Sequence, residues 1–222
     1  MTTASLINLV MKADERASGA TEKVLGRLLD FSDGIFAFAI TLLILNIVLP
    51  LSTTKSDLPQ ALLQLWPHFM AFLISFLVIG LYWIIHVRQL RVICKYDTGL
   101  LWFNLIFLMF IVLIPFSTGV LSDFFGTASV TLYAANLACA GFMATGLWIY
   151  SVRRKLVDPL LGPAQVRRGI IMNLVAPVIF TLSIGLAFIN ADIAAYSWIL
   201  IFFTRRAAGW IFKLPETDDD IR

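Results

Sequence analysis

Apolar residues run in long blocks along this chain, and polar residues collect between the blocks or near their ends. A helix that crosses a bilayer needs about 20 consecutive, mostly apolar residues. Blocks of that length predict spans at 31–51, 65–87, 98–121, 129–152, 168–190 and 193–213. Turn-forming stretches separate them: PLSTTKSDLP after the first, FGTAS after the third and VDPLLGP after the fourth. Only INADI divides the last two, and Arg205 and Arg206 cut the sixth block short. The expected fold class is therefore an all-α membrane protein of six transmembrane helices.

Charge placement orients these spans. All but Lys55 of the 17 Lys and Arg residues fall on one side. Lys12, Arg16, Lys23 and Arg27 precede the first span, and Arg88, Arg91 and Lys95 join the second to the third. Arg153, Arg154, Lys155, Arg167 and Arg168 join the fourth to the fifth, while Arg205, Arg206, Lys213 and Arg222 lie in or after the sixth. The positive-inside rule then puts both termini in the cytoplasm.

Composition agrees with a membrane protein: 59% of the 222 residues are hydrophobic and 14% charged, against about a quarter charged in soluble domains. Mean hydropathy is +0.87. Cys94 and Cys139 lie in different segments without ligand spacing, so neither a disulfide framework nor a metal site is expected. Residues 1–26 lack the apolar core of a signal peptide. They read as a cytoplasmic N-terminal extension, with an amphipathic helix around Leu6, Ile7, Val10 and Met11. Residues 27–213 form the six-helix unit and 214–222 a cytoplasmic tail. No extramembrane segment is long enough for a second folded domain, which argues against an attached soluble enzyme, and nothing marks a nucleic-acid partner.

Polar residues inside the spans carry the candidate chemistry. A charged side chain at mid-membrane costs about 2.5–3.5 kcal/mol by insertion scales, and less near the ends. Asp33 enters the first span just inside its start, six residues after Arg27. An interfacial carboxylate near a helix N-terminus is the plainer account of it. Topology adds a second: Arg27 and Asp33, Trp83 and His86, and Asn104 come from three consecutive helices to one membrane level. Groups at that depth must find partners within the protein. The expectation is that Asp33 accepts from His86 or Asn104, while Arg27 pairs with Asp30, a carbonyl or the Trp83 ring.

At about 100° per residue, Arg27, Gly34, Phe38, Thr41, Leu42 and Leu45 share one face of the first helix. Asp33, Ala37, Ile40 and Ile44 form a separate stripe about 120° away. The carboxylate thus supports the Phe38–Leu45 face from behind, whatever that face lines. Ordinary helix packing or lipid contact also explains such a face. Asn136, Asn173 and Asn190 read as interhelical contacts, and Pro115 and Pro177 as helix distortions. Phosphate-binding glycine loops, zinc ligand clusters, nucleophile elbows, a TVGYG filter and a voltage-sensor arginine ladder are all missing from the sequence. From the residues alone, a channel and a carrier that titrates Asp33 and His86 stay equally open, with an intramembrane scaffold or enzyme subunit behind them.

Arg27-x-x-x-Phe31-Ser32-Asp33 resembles the RxxxFSD signature of the transmembrane-protein-175 family of potassium channels. The likeness continues through GIFAFAITLLILNI and returns in YWIIHVRQLRVICKYDTGLLWFNLIFLMFIVLIPFSTGVL, so it is specific over 27–121 and only hydropathic beyond. It implies a passive potassium-permeable leak channel, not an enzyme, in a prokaryotic plasma membrane. Its partners would be the lipid bilayer, monovalent cations and further copies of itself, with potassium as permeant ion and no cofactor or fixed metal. A single six-helix unit implies a homotetramer whose first helices line a central pore. Carried over by position, Phe38, Leu42 and Leu45 would form apolar pore rings, and Thr41 would place a hydroxyl near the ion path. Arg27, Phe31, Ser32, Asp33, Trp83, His86 and Asn104 would brace the pore helix. Where relatives usually carry Ile or Leu at the first ring, this chain has Phe38.

Overall fold

The computed structural model describes the backbone of residues 3–201 and the side chains of residues 19–201. Within them the chain is built of helices. The first, α1, runs Thr3–Leu42 and tightens into a 3₁₀ turn at Leu43–Asn46. A short α2 (Leu58–Gln64) leads into α3 (Trp66–Arg91). Then follow α4 (Thr98–Val112), α5 (Ile114–Asp123), α6 (Thr127–Arg153), α7 (Pro163–Ala187) and α8 (Ala191–Ser197). Gly19–Asn46, Trp66–Arg91, Thr98–Asp123, Thr127–Arg153 and Pro163–Ala187 are each long and apolar enough to cross a membrane.

Five of the six expected spans thus stand within the described residues. Most of the sixth, with Arg205, Arg206, Lys213 and Arg222, lies outside them. Its start is present: Asn190 caps α8 by accepting from the Ile193 amide at 3.0 Å. Trp198 then donates from Nε1 to Ser183 Oγ at 2.9 Å and packs on Tyr133, ring centroids 4.9 Å apart. Asn190 is therefore a cap, not the interhelical contact expected of it.

Boundaries moved where local chemistry outweighed hydropathy. The fifth span starts at Pro163, five residues early, because Gln165 Oε1 accepts from the Gly162 amide at 2.9 Å and proline suits the first helical position. Arg167 and Arg168 consequently sit on the helix and not in the preceding loop. Pro115 does break the third span, dividing α4 from α5 at Leu113. Pro177 stays inside an unbroken α7, where its ring rests on Gly141 of α6; a Cβ there would lie 2.8 Å from it. The backbone around Leu6–Met11 is the beginning of one continuous 40-residue α1, not a separate short helix. At 1.5 Å per residue that rod is about 60 Å long, twice a hydrocarbon core.

Among the five described spans the fourth is the most buried and forms the centre of the bundle, and the first is the least covered. Small residues explain the centre: Ala134, Ala138, Gly141 and Ala144 let neighbouring helices approach α6 closely. Across this core Ser75 bonds both Thr118 Oγ1 at 2.8 Å and Tyr133 OH at 2.9 Å, satisfying three buried hydroxyls at once. α1 packs on one side only, against α3, α4 and α5.

At the arginine-rich end the two connecting loops clasp each other. Ile93 and Val157 form an antiparallel bridge, with Cys94 N–H donating to the Leu156 carbonyl at 2.8 Å and Asp158 N–H to Val92 at 2.9 Å. Lys155 adopts φ 57° to make the turn. Asp97 caps α4 by accepting from the Leu100 amide at 2.8 Å, and its second oxygen accepts from Tyr150 OH at 2.9 Å and Arg154 Nε at 3.4 Å. Partial desolvation raises the Asp97 pKa, but those donors and the Arg154 charge outweigh it and hold it below the ordinary 3.8. Because folding lowers this pKa, its contribution is complete above the ordinary value and lost as pH falls through the depressed one. Protection of the amides at 92–97 and 154–158, taken relative to the intrinsic exchange rate at each pH, should therefore fall below about pH 4, and Asp97→Ala should lower protection at neutral pH and abolish that step.

Candidate functional site

The first span presents two opposite surfaces. Ser32, Phe36, Ala39 and Leu43, spaced by three or four, are at most 1% exposed and face the bundle formed by α3, α4 and α5. The opposite face carries Gly34, Ala37, Thr41 and Ile44, all exposed, with Phe38 at 60% and Leu45 at 66%. Leu42 lies half-buried at its border. Of the six residues expected on one face, Arg27, Gly34, Phe38, Thr41 and Leu45 are thus exposed, with Leu42 at the margin. Ala37 and Ile44 join them, although periodicity assigned both to the Asp33 stripe. The stripe lies at the flank, so its members divide between exposed and half-buried positions.

The hydroxyl on this face is oriented. Thr41 Oγ1 donates to the Phe38 carbonyl at 2.9 Å. With its single proton committed to the backbone, the Thr41 oxygen turns its lone pairs outward, where only a donor or a cation suits them.

Behind the bare face, the polar residues pair otherwise than expected. Asp33 is bonded neither to His86 nor to Asn104; its Oδ1 accepts from Trp83 Nε1 at 2.8 Å. Asn104, fully buried, donates from Nδ2 to Ser32 Oγ at 3.1 Å, and Ser32 in turn donates to the Leu28 carbonyl at 2.8 Å. One residue of helix is about 100° of rotation, so Ser32 points into the bundle while Asp33 reaches only its flank. Trp83 emerges at that flank, 41% exposed. His86, three residues on, turns inward and sits between Phe36 and Phe107, at centroid distances of 5.7 and 5.1 Å. Arg27 and Phe31 are exposed, and among the described residues Arg27 has no ion pair with Asp30 or any other carboxylate.

Two contacts were not anticipated. Gln89 Nε2 reaches the Ala144 carbonyl on α6 at 3.2 Å, and Asn46 Nδ2 reaches the Pro115 carbonyl at 2.9 Å. A lone amide ending the apolar run LLILN was the available signal for the second. Among the described residues no group of three or more His, Cys, Asp or Glu is placed to hold a metal ion.

Ser32→Ala would strand the Asn104 amide in a dry interface, and an unsatisfied buried donor costs about 1–3 kcal/mol. The variant should unfold at lower temperature in detergent. Ser32→Ala combined with Asn104→Leu should recover much of the loss, because no orphaned donor remains.

The chain is similar to known proteins in both sequence and fold. The family model described as endosomal/lysosomal potassium channel TMEM175 matches residues 27–115, beginning at the signature arginine. A potassium channel of Streptomyces collinus is 31% identical over 186 residues, spanning 80% of this chain and 90% of that protein. A potassium channel of Chamaesiphon minutus is 33% identical over 129 residues, 55% of this chain and 64% of that one. The crystal structure of a lysosomal potassium-selective channel TMEM175 homolog from Chamaesiphon minutus superposes with a TM-score of 0.70 at 26% identity, covering 82% of this chain and 96% of that one. With its signature, its bundle and nearly the whole length of a curated relative matched, the chain belongs to the TMEM175 family of potassium channels.

Proposed function

We propose that this chain is a potassium-permeable channel in which four copies set their first helices around a central axis. The carrying observation is the bare face of α1: Phe38, Thr41 and Leu45 are uncovered while the opposite stripe is buried and hydrogen-bonded against the chain's own bundle. Exposed Arg27 and Phe31, flanking that face at its arginine-rich end, are available to a neighbouring copy. The chain crosses a prokaryotic plasma membrane six times in this reading, with residues 1–26, the loop clasp and 214–222 in the cytoplasm.

Conduction follows from the side chains. At rings formed by Phe38, Leu42 and Leu45, an ion sheds water without gaining ligands, so the barrier depends on radius and side-chain motion. Sodium holds its water more tightly than potassium and meets the higher barrier. The Phe38 rings narrow the path and offer π faces to a cation. Thr41 lies one turn on with its lone pairs outward, a partial replacement for lost water. Potassium is the permeant species; no cofactor or fixed metal takes part, and the chain performs no enzymatic reaction.

A proton-coupled carrier would need Asp33 and His86 to exchange protons along a path. Asp33 is instead tied to Trp83 at the flank, and His86 is enclosed by phenyl rings. The channel reading is the better supported.

Bilayer recording of purified protein under asymmetric potassium and sodium tests it: unitary currents and a reversal potential displaced toward potassium are expected. Phe38→Ala should raise unitary conductance and lower the potassium/sodium permeability ratio by roughly severalfold. An unchanged reversal potential in that variant would remove Phe38 from the selective part of the path.

A further inference from the structure

The first helix does not stay α-helical to its outer end. Leu43–Asn46 form a 3₁₀ turn, closed by the Ile47 amide donating to the Ile44 carbonyl at 3.1 Å. Such a turn advances about 120° per residue, against about 100° in an α-helix. Over four residues it carries Asn46 roughly 80° beyond the position a continued α-helix would give it. A continued α-helix would leave Asn46 at the edge of the buried stripe, near Ala39; in the 3₁₀ turn, where positions three apart eclipse, it stands over fully buried Leu43. There Nδ2 donates to the Pro115 carbonyl at 2.9 Å.

The receiving surface on α5 is shaped for the amide. A Cβ on Gly119 would lie 3.0 Å from Asn46 Oδ1 and 3.6 Å from Nδ2, so the missing side chain makes room for it. A 3₁₀ turn is a common way for an α-helix to end; here the side-chain bond from Asn46 ties that turn to α5. The same over-winding turns Leu45 by about 60° and raises the end of the helix by about 2 Å. Leu45 is the neighbour of Asn46 in this turn and points to the bare face.

We propose that Asn46 is a positioning residue for the outer end of the ion path. By holding the 3₁₀ turn against Pro115 and Gly119, it sets the direction and height of Leu45, and through Leu45 the width of the outermost apolar ring. Asn46 itself does not meet the ion. This role rests on the reading of the Phe38–Leu45 face as the pore wall.

The test compares unitary currents, potassium/sodium reversal potentials and thermal stability of the full chain with four variants: Leu45→Ala, Asn46→Asp, Gly119→Ala, and Leu45→Ala with Asn46→Asp. Asp at 46 is nearly isosteric but lacks the donor and opposes the Pro115 carbonyl. Ala at 119 displaces the amide from the other side and decides the matter alone if the Asp variant fails to fold. Each single variant should raise conductance and lower the permeability ratio by roughly twofold or more. The double variant should change no further than Leu45→Ala does, as expected of residues acting through one another. Wild-type conductance and ratio in both Asn46→Asp and Gly119→Ala, whatever their thermal stability, would overturn the role while Leu45→Ala still moves the ratio. Additive changes in the double variant would overturn the route through Leu45. Should Leu45→Ala and Phe38→Ala both leave the ratio unchanged, the pore reading fails first and takes this role with it.

Discussion

A helix that must hide one stripe and leave the opposite one bare has to be held against rotation about its own axis. In α1 that constraint is met by the Ser32–Asn104 hydrogen bond. Apolar packing alone holds a helix weakly in azimuth, because Leu, Ile and Phe repack with little loss and lipid is as apolar as they are. A hydrogen bond inside hydrocarbon is directional, and its loss strands a donor with no water to take it. Asn104 is fully buried and Ser32 is at zero exposure, so the bond admits one rotation of the helix. The Asp33–Trp83 contact reinforces it from the flank.

The third span is tied to its neighbours by polar groups at two points. At the arginine-rich end, Asp97 gathers an amide, a phenol and a guanidinium, joining the start of α4 to the end of α6. At the other end Asn46 crosses to the carbonyl of a proline that already interrupts its helix. Between these ties the bundle is apolar and closely packed around α6. Polar groups therefore set orientation at a few points, and dispersion and small residues supply cohesion along the rest. α1 remains the least covered of the five described spans.

Much of the bare face of α1 was legible in the sequence, and most of the polar pairing behind it was not. The face carrying Phe38, Thr41 and Leu45 followed from helical periodicity, which needs only a regular rotation per residue. The pairing of Asp33 with His86 or Asn104 failed because shared depth does not establish shared azimuth. His86 and Trp83 sit three apart on α3, yet one turns to phenyl rings inside and the other to a carboxylate at the flank. The role of Asn46 is not legible because its partner is a backbone carbonyl on α5, which the periodicity of α1 cannot reveal. Asn136 was read correctly as an interhelical contact: its Nδ2 lies 3.3 Å from the Phe110 carbonyl and 3.4 Å from Ser117 Oγ.

Apolar spans, their approximate limits and the crowding of basic residues at one end are sums along the chain. Each residue contributes its own transfer free energy whatever its neighbours, so the sequence by itself determined them, and the RxxxFSD signature carried the family. Which polar group meets which, where α5 accepts the first helix, and which face of that helix stays bare were decided only by the tertiary structure. Those outcomes depend on the relative rotation and height of two helices, and a single residue's difference, about 100° and 1.5 Å, exchanges one partner for another.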